Sequence, residues 1–333
     1  MPAVSPGSWK FSLLASPPRR KRAKALGFWG ADPLGYAEGT GRSVSYVWSP
    51  GNPIEVAVSG LKDVSLARGA EEGQAAGSCY VRGNQHALLL RRNGAGFEAL
   101  DLHPKGYEKT FAMGCSAGQQ VGYGTPKGAR KDVALLWSGS AASVVELRAQ
   151  DPAQETTAYA IANGMQVGYS GGQGRQRAVL WRGSSDSAVE LHPKDMMISE
   201  CEGTDGTQQV GRVAVSLYVV MPSVWNGSAD SWVDLSPKGF HGGAAYACAD
   251  GIQVGSVALD KEYRRHHAAL WTGSAQTFLD LHAFVPKQDF NESCAWGIRV
   301  EGRRVRVAGE VSLMKDGVSY DQRAALWEAE LAS

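Results

Sequence analysis

Seven copies of one phrase, four short strand-like segments in each copy, and a composition rich in glycine and aromatics predict an all-β fold. The copies align on Trp48, Leu90, Trp137, Trp181, Trp225, Trp271 and Trp327, at spacings of 42 to 56 residues. Among 333 residues there are 41 Gly, 10 Trp and 11 Tyr, which favours short strands and tight turns over long helices. A period of roughly 40–50 residues that carries four strands marks a propeller blade, since one such unit buries its apolar faces only by stacking on the next. The expectation is therefore a single domain over 1–333, a seven-bladed β-propeller with four antiparallel strands per blade.

The copy around Trp181 shows the elements in order. Its strands read "AYAI" at 158 to 161, "QVGYS" at 166 to 170, "RAVLW" at 177 to 181 and "AVELH" at 188 to 192. Asn163-Gly164, the glycine-rich run at 171 to 174 and "RGSSDS" punctuate them as turns. Three residues before each anchor stands a compact residue: Ser45, Ala87, Ala134, Ala178, Pro222, Ala268 or Ala324. The Leu and Trp that follow are expected to fill the wedge between blades. Each second strand keeps a glycine, at 35, 77, 122, 168, 211, 255 and 309. Glycine costs backbone entropy in a strand, so its recurrence predicts the close approach of a bulky neighbour, with the anchor Trp as the candidate. The last copy stops before a fourth strand, while "WKFSLLASP" at 9 to 17 matches "SWVDLSPKG" at 231 to 239. The N-terminal strand is thus expected to complete the last blade and remove an open sheet edge.

The order "A-x-A-I … G-x-Q-V-G-Y … H-A-x-L-W … D-L" resembles the HAF-type repeats of bacterial proteins. His86-Ala87 and His267-Ala268 carry the "HA" most closely, and the closure resembles that of WD-repeat propellers. The resemblance implies a propeller and no particular activity.

A search for chemistry returns structure. Asp101, Glu146, Glu190, Asp234 and Asp280 share the position before the Leu of the fourth strand, and lie in different blades, too far apart to act as an acid/base pair. They read as repeated turn or edge hydrogen-bond acceptors. His103, His192 and His282 follow three of them, where Arg148 and Ser236 stand elsewhere, so a metal ligand is not signalled. His266 and His267, adjacent on a strand, are expected to face opposite ways. The sequence lacks nucleotide-binding P-loop, nucleophile-elbow, zinc-helix and EF-hand patterns. Five cysteines, at 79, 115, 201, 248 and 294, form no C-x-x-C pair and read as apolar packing in a reducing compartment. No catalytic residue, metal or cofactor is expected, and no set of titratable groups is seen to converge on the channel. The chain shows neither a secretory signal nor a membrane span, and is expected to be cytoplasmic.

The formal net charge is +1, so any electrostatic role depends on distribution. In a four-stranded blade the loops joining strands two and three, and strand four to the next strand one, emerge together. Most of the Lys and Arg fall in those loops, with fewer of the acids. The expected ligand-binding set is Arg19, Arg20, Lys21, Arg22, Lys105, Lys194, Lys238, Lys261, Arg264, Arg265 and Lys287, with Tyr107, Phe240 and Tyr263 near enough to stack on bases or sugars. The function expected is a non-enzymatic binding or scaffolding monomer whose basic face recognises an acidic protein or other polyanion. The alternative is a lectin-like module that binds glycans between blades through Trp and the repeated carboxylates.

Overall fold

In a computed structural model the described residues are 9–331, apart from 21, 40–41, 72, 95, 217, 288 and 316–317. They form strands and short 3-10 turns, with no α-helix among them. Strand β1 (Lys10–Leu13) precedes β2 (Arg22–Trp29), β3 (Asp32–Glu38), β4 (Ser43–Trp48) and β5 (Pro53–Glu55). The next group is β6 (Lys62–Glu71), β7 (Gln74–Val81), β8 (Asn84–Asn93) and β9 (Gly96–Asp101). Then come β10 (Tyr107–Ser116), β11 (Gln119–Pro126), β12 (Val133–Trp137) and β13 (Val145–Leu147). The copy around Trp181 gives β14 (Thr156–Ala162), β15 (Met165–Ser170), β16 (Arg177–Trp181) and β17 (Val189–Glu190). It is followed by β18 (Ile198–Thr204), β19 (Gln209–Ser216), β20 (Val219–Trp225) and β21 (Val233–Asp234). The chain ends with β22 (Gly243–Ala249), β23 (Ile252–Ala258), β24 (His266–Trp271), β25 (Leu279–Asp280), β26 (Glu292–Glu301), β27 (Arg304–Lys315) and β28 (Val318–Glu330).

Five of the sheets are antiparallel four-stranded meanders, and the remaining one has eight strands. The larger sheet arises because β28 and β2 touch at a single parallel pair, Arg22 with Gln322. Within it β1 lies antiparallel to β28, Lys10 opposite Glu328 and Leu13 opposite Ala325, so the N-terminal strand does complete the group of β26 to β28. Phe11 packs on Trp327 with ring centroids 5.5 Å apart, which gives that closure an apolar contact. The first strands form a closed ring: β2, β6, β10, β14, β18, β22 and β26 each touch the next, and β26 touches β2.

The repeated letters are accounted for locally. Every anchor Trp is fully buried, and Leu90 takes the same place in its own copy. The buried Gln of the second strand accepts, through Oε1, the backbone N–H of the turn glycine that follows the anchor; Gln166 with Gly183 at 2.8 Å and Gln253 with Gly273 at 2.7 Å are examples. In four copies the compact residue of the third strand, Ala87, Ala134, Ala178 or Ala268, donates its backbone N–H to a Ser or Thr hydroxyl on the neighbouring first strand. Ala178 reaches Ser199 and Ala268 reaches Ser293, both at 2.9 Å, so these units are stitched to the next by a buried bond.

The strand-two glycine has a different cause from the one expected. In each first strand the register slips by a bulge, as between Ala158 and Ala160 opposite Gly168 and Val167. A Cβ on Gly168 would lie 1.8 Å from the Thr157 carbonyl oxygen. The nearest intruder is therefore first-strand backbone, at the bulge, and the expected anchor comes second in two copies, Leu90 at 2.7 Å from such a Cβ on Gly77 and Trp327 at 2.9 Å from one on Gly309.

Candidate functional site

Each first strand has one residue in its slip, and those of six strands, Leu26, Arg68, Tyr159, Glu202, Tyr246 and Trp296, line a common cavity at the centre of the ring. The residue is the middle of a small–X–small triplet: Ala25-Leu26-Gly27, Ala112-Met113-Gly114, Ala158-Tyr159-Ala160, Cys201-Glu202-Gly203, Ala245-Tyr246-Ala247 and Ala295-Trp296-Gly297. Arg68 sits in a wider slip between Leu66 and Ala70. The flanks are small because adjacent strands nearly touch there; a Cβ on Gly297 would come 2.6 Å from the Gly27 Cα.

Four of these side chains meet. Arg68 Nη2 donates to Glu202 Oε2 at 2.6 Å, across 134 residues of sequence and between strands that are not neighbours in the ring. The guanidinium also lies 5.6 Å from the Tyr246 ring centre and 5.9 Å from that of Trp296, and the two rings are 4.4 Å apart. A cation beside aromatic rings at such distances gains from their quadrupoles. Beside the cluster, Lys24 Nζ pairs with Glu310 at 3.0 Å and sits 5.4 Å from Trp296, whose indole N–H donates to Glu310 Oε1 at 3.2 Å. Arg212 pairs with Glu200. Burial pushes both Glu200 and Glu310 above the ordinary carboxylate range, against the pull of their cations. Burial opposes the charge on Lys24, but Glu310 outweighs it and holds the ammonium above its usual value. The cluster borders a cavity of about 200 Å³.

This convergence corrects the expectation that nothing gathers at the channel. The missed signal is the triplet itself, whose flanks stay small while its centre varies from Leu and Met to Arg, Glu, Tyr and Trp.

The basic positions distribute as follows. Lys105, Lys194, Lys238 and Lys287 each follow a proline that ends a "P-K" turn, namely Pro104, Pro193, Pro237 and Pro286, and all four are exposed. Among the described residues none of them makes an ion pair. Arg19 and Arg20 line an open cleft of about 410 Å³ with Arg42 and Tyr46. Arg19 has φ of 60°, at the left-handed corner of the turn in which Arg20 N–H bonds Pro17 O. Arg22 begins β2, and Lys21 lies outside the described residues. Lys261, Arg264 and Arg265 are exposed in one loop, with Arg265 Nε 3.5 Å from Asp260. Loops of the two expected classes do meet: Lys131 Nζ donates to Ala153 O at 2.8 Å, and Tyr263 Oη to His241 O at 2.8 Å.

The aromatics expected to stack on ligand are instead engaged internally. Tyr107 is buried and donates to Glu146 at 2.7 Å, Phe240 packs 5.0 Å from Phe278, and Tyr263 Oη bonds three backbone groups of neighbouring loops. Tyr218, 78% exposed at the tip of the β19–β20 hairpin, and Tyr80, 59% exposed near the β7–β8 turn, are open aromatics.

The repeated carboxylates and histidines form internal networks. Asp101 and Asp280 accept the backbone N–H of His103 and His282 at 2.8 Å, and pair with His86 and His267 at 2.8 Å through their other oxygens. His86 stacks on His103 at 3.9 Å and His267 on His282 at 4.0 Å. Nδ1 of His103, His192 and His282 meets the stitching hydroxyl of Thr110, Ser199 and Ser293. All five cysteines are buried, and burial pushes the thiols up, to about 11 at Cys79 and about 12 at Cys115. Among the described residues no group of three His, Cys, Asp or Glu is placed to hold a metal, and no helix is long and apolar enough to cross a membrane.

A ring of meander sheets about an axial cavity defines a β-propeller, and the chain is similar to solved propellers. It matches the β-propeller domain of the Trilobed protease from Pyrococcus furiosus at 8% identity and TM-score 0.59, over 94% of this chain and 98% of that one. It also matches an acylaminoacyl peptidase from Pyrococcus horikoshii (8% identity, TM-score 0.55) and prolyl oligopeptidase B from Galerina marginata (9%, 0.52). The matches take in 90% and 87% of this chain, and 52% and 47% of the peptidases. At these identities the likeness is one of fold. No family model matches the chain, and no curated protein does.

Proposed function

We propose that the chain is a single-domain, seven-bladed propeller of the HAF-repeat type, in which the eight-stranded sheet counts as two blades, β26–β28 with β1 and β2–β5. We further propose that it is a non-enzymatic binding or scaffolding monomer of the cytoplasm, whose basic turn face engages an acidic protein or other polyanion. The observation that carries this reading is the repetition of Lys105, Lys194, Lys238 and Lys287. Each stands exposed at the same corner of an equivalent turn, with no ion pair among the described residues. Lysines spread round a rim in this way attract an extended anion from several sides, and the attraction weakens as salt screens it. The carboxylates that a glycan reading would use are engaged within the blades, at Asp101, Glu146 and Asp280.

Retention on immobilised heparin tests the proposal. The wild type is expected to elute above physiological salt, and a variant with all four lysines changed to Glu to elute well below it. Equal elution of the two would remove the basic rim as the site.

A further inference from the structure

The large apolar side chains left open to water are not scattered. Some, such as Ile54 and Val145, stand on outermost strands. The others among the described residues, Tyr80, Val215, Tyr218, Val219 and Leu313, all flank the links between a second and a third strand. The β19–β20 hairpin is the extreme case. Its sequence from Val215 to Val220 reads "VSLYVV", with no Gly, Asn or Asp at the tip, where a two-residue turn in water usually carries one. Each tip also has a basic neighbour. Lys62 lies opposite Tyr80 in the ladder, Lys261 shares an open groove with Tyr218, and Lys315 follows Leu313 at the end of β27. Among the described residues none of these three lysines makes an ion pair. Of the acids close by, Glu262 lines the groove of Tyr218, and Asp321, opposite Leu313, is paired with Arg323.

In an antiparallel meander the link from strand two to three emerges at the same end as the link from strand four to the next first strand. Bonds between the two classes hold them together, as from Lys127 N–H to Gly106 O and from Tyr263 Oη to His241 O, both at 2.8 Å. The apolar tips thus share their end of the ring with the turn lysines. They belong to the units of β6, β18 and β26, no two of which are neighbours in the ring. A ligand that fits one groove touches one tip, whereas three tips set apart around a ring rest together on a flat partner.

We infer that this face docks peripherally on an anionic lipid surface, with Tyr80, Tyr218 and Leu313 entering the headgroup region and the basic residues facing the lipid charges. Tyrosine suits that boundary because its ring is apolar and its hydroxyl stays wet. Lysines near an anionic leaflet add an attraction that salt screens. A flat polar protein surface would supply the charge but no apolar medium for the tips. The docking rests on the basic rim proposed above and adds the apolar contact to it.

Co-sedimentation of the full chain with lipid vesicles tests this. Vesicles of phosphatidylcholine with about 30% phosphatidylserine are expected to carry the protein down, and phosphatidylcholine alone to bind it at least about tenfold more weakly. The triple variant Tyr80→Ser, Tyr218→Ser, Leu313→Ser changes exposed positions outside the core. It is expected to bind the mixed vesicles at least about tenfold more weakly, while its elution from heparin stays that of the wild type. A wild type retained on heparin but not carried down by the mixed vesicles would overturn the lipid docking and leave the rim standing; loss of both would remove the rim as well. Equal vesicle binding by the triple variant would overturn the entry of the tips. Dimerisation of the wild type that the variant lacks, without vesicle binding, would assign the tips to a second copy of the chain instead.

Discussion

His282 shows how a repeated polar residue becomes structural. It is 7% exposed, its ring stacks on His267, its Nδ1 meets Ser293, and its backbone N–H bonds Asp280. Burial, with the neighbouring His267 and despite Asp280, lowers its pKa from 6.5 to about 4. The unfolded chain therefore takes up a proton at this residue near pH 6.5, while the folded chain resists until near pH 4. Between those values the unfolded state binds more protons, so this contribution to stability is present above pH 6.5 and is lost as pH falls toward 4. Denaturant midpoints at pH 7 and pH 5 are expected to separate less in His282→Gln than in the wild type; equal separation would refute a neutral, buried His282. That this histidine is structural was readable from the exchange of His, Arg and Ser at one repeat position. Arg68 and Glu202 were not readable in this way. A repeat displays what its copies share, and the axial residues are what they do not share: Leu, Arg, Met, Tyr, Glu, Tyr and Trp occupy the same place in the triplet.

The bulge and the glycine opposite it form one device. The slip turns Tyr159 toward the axis and throws the Thr157 carbonyl against Gly168, so the second strand has no room for a side chain at that point. Gly122, Gly211 and Gly255 face the same kind of intrusion from Phe111, Glu200 and Ala244. Gly168→Ala is expected to cost about 1–3 kcal/mol in chemical denaturation, through backbone displacement at the bulge. A variant as stable as the wild type would show that the strands have slack there. The sequence marked the glycine as a point of close approach but pointed to the anchor, which is the second neighbour at Gly77 and Gly309, and not to the carbonyl that comes nearest. A bulge leaves no residue of its own in a single sequence: "A-Y-A-I" reads as an ordinary alternating strand, and the extra residue shows only when partners are counted across the ladder. The turns, by contrast, announce themselves through Asn163-Gly164 and the glycine two residues after four of the anchors, because a positive φ demands particular residues; Gly164 has φ of 73° and Gly183 of 84°.

The ring architecture, the closure by β1 and the burial of the anchors were all visible in the repeat, since a unit of this size has no core of its own and its phrase records how it stacks. The rule that alternate loops emerge together leads to the expectation that the turn lysines share one face, on which the proposed rim depends. What the phrase does not record is which of the loop residues neutralise one another; Arg42 with Asp63, Arg323 with Asp321 and Arg265 with Asp260 are paired, whereas the four turn lysines are not. The proposed rim therefore rests on a few unpaired corners more than on the total charge of a face. The most direct test is the affinity for a heparin oligosaccharide measured across a series of salt concentrations. If the four turn lysines each displace a counterion, the logarithmic salt dependence is steep in the wild type and shallower by about four in the variant carrying Glu at 105, 194, 238 and 287. A slope near zero in the wild type, or one unchanged in the variant, would contradict recognition by the basic rim.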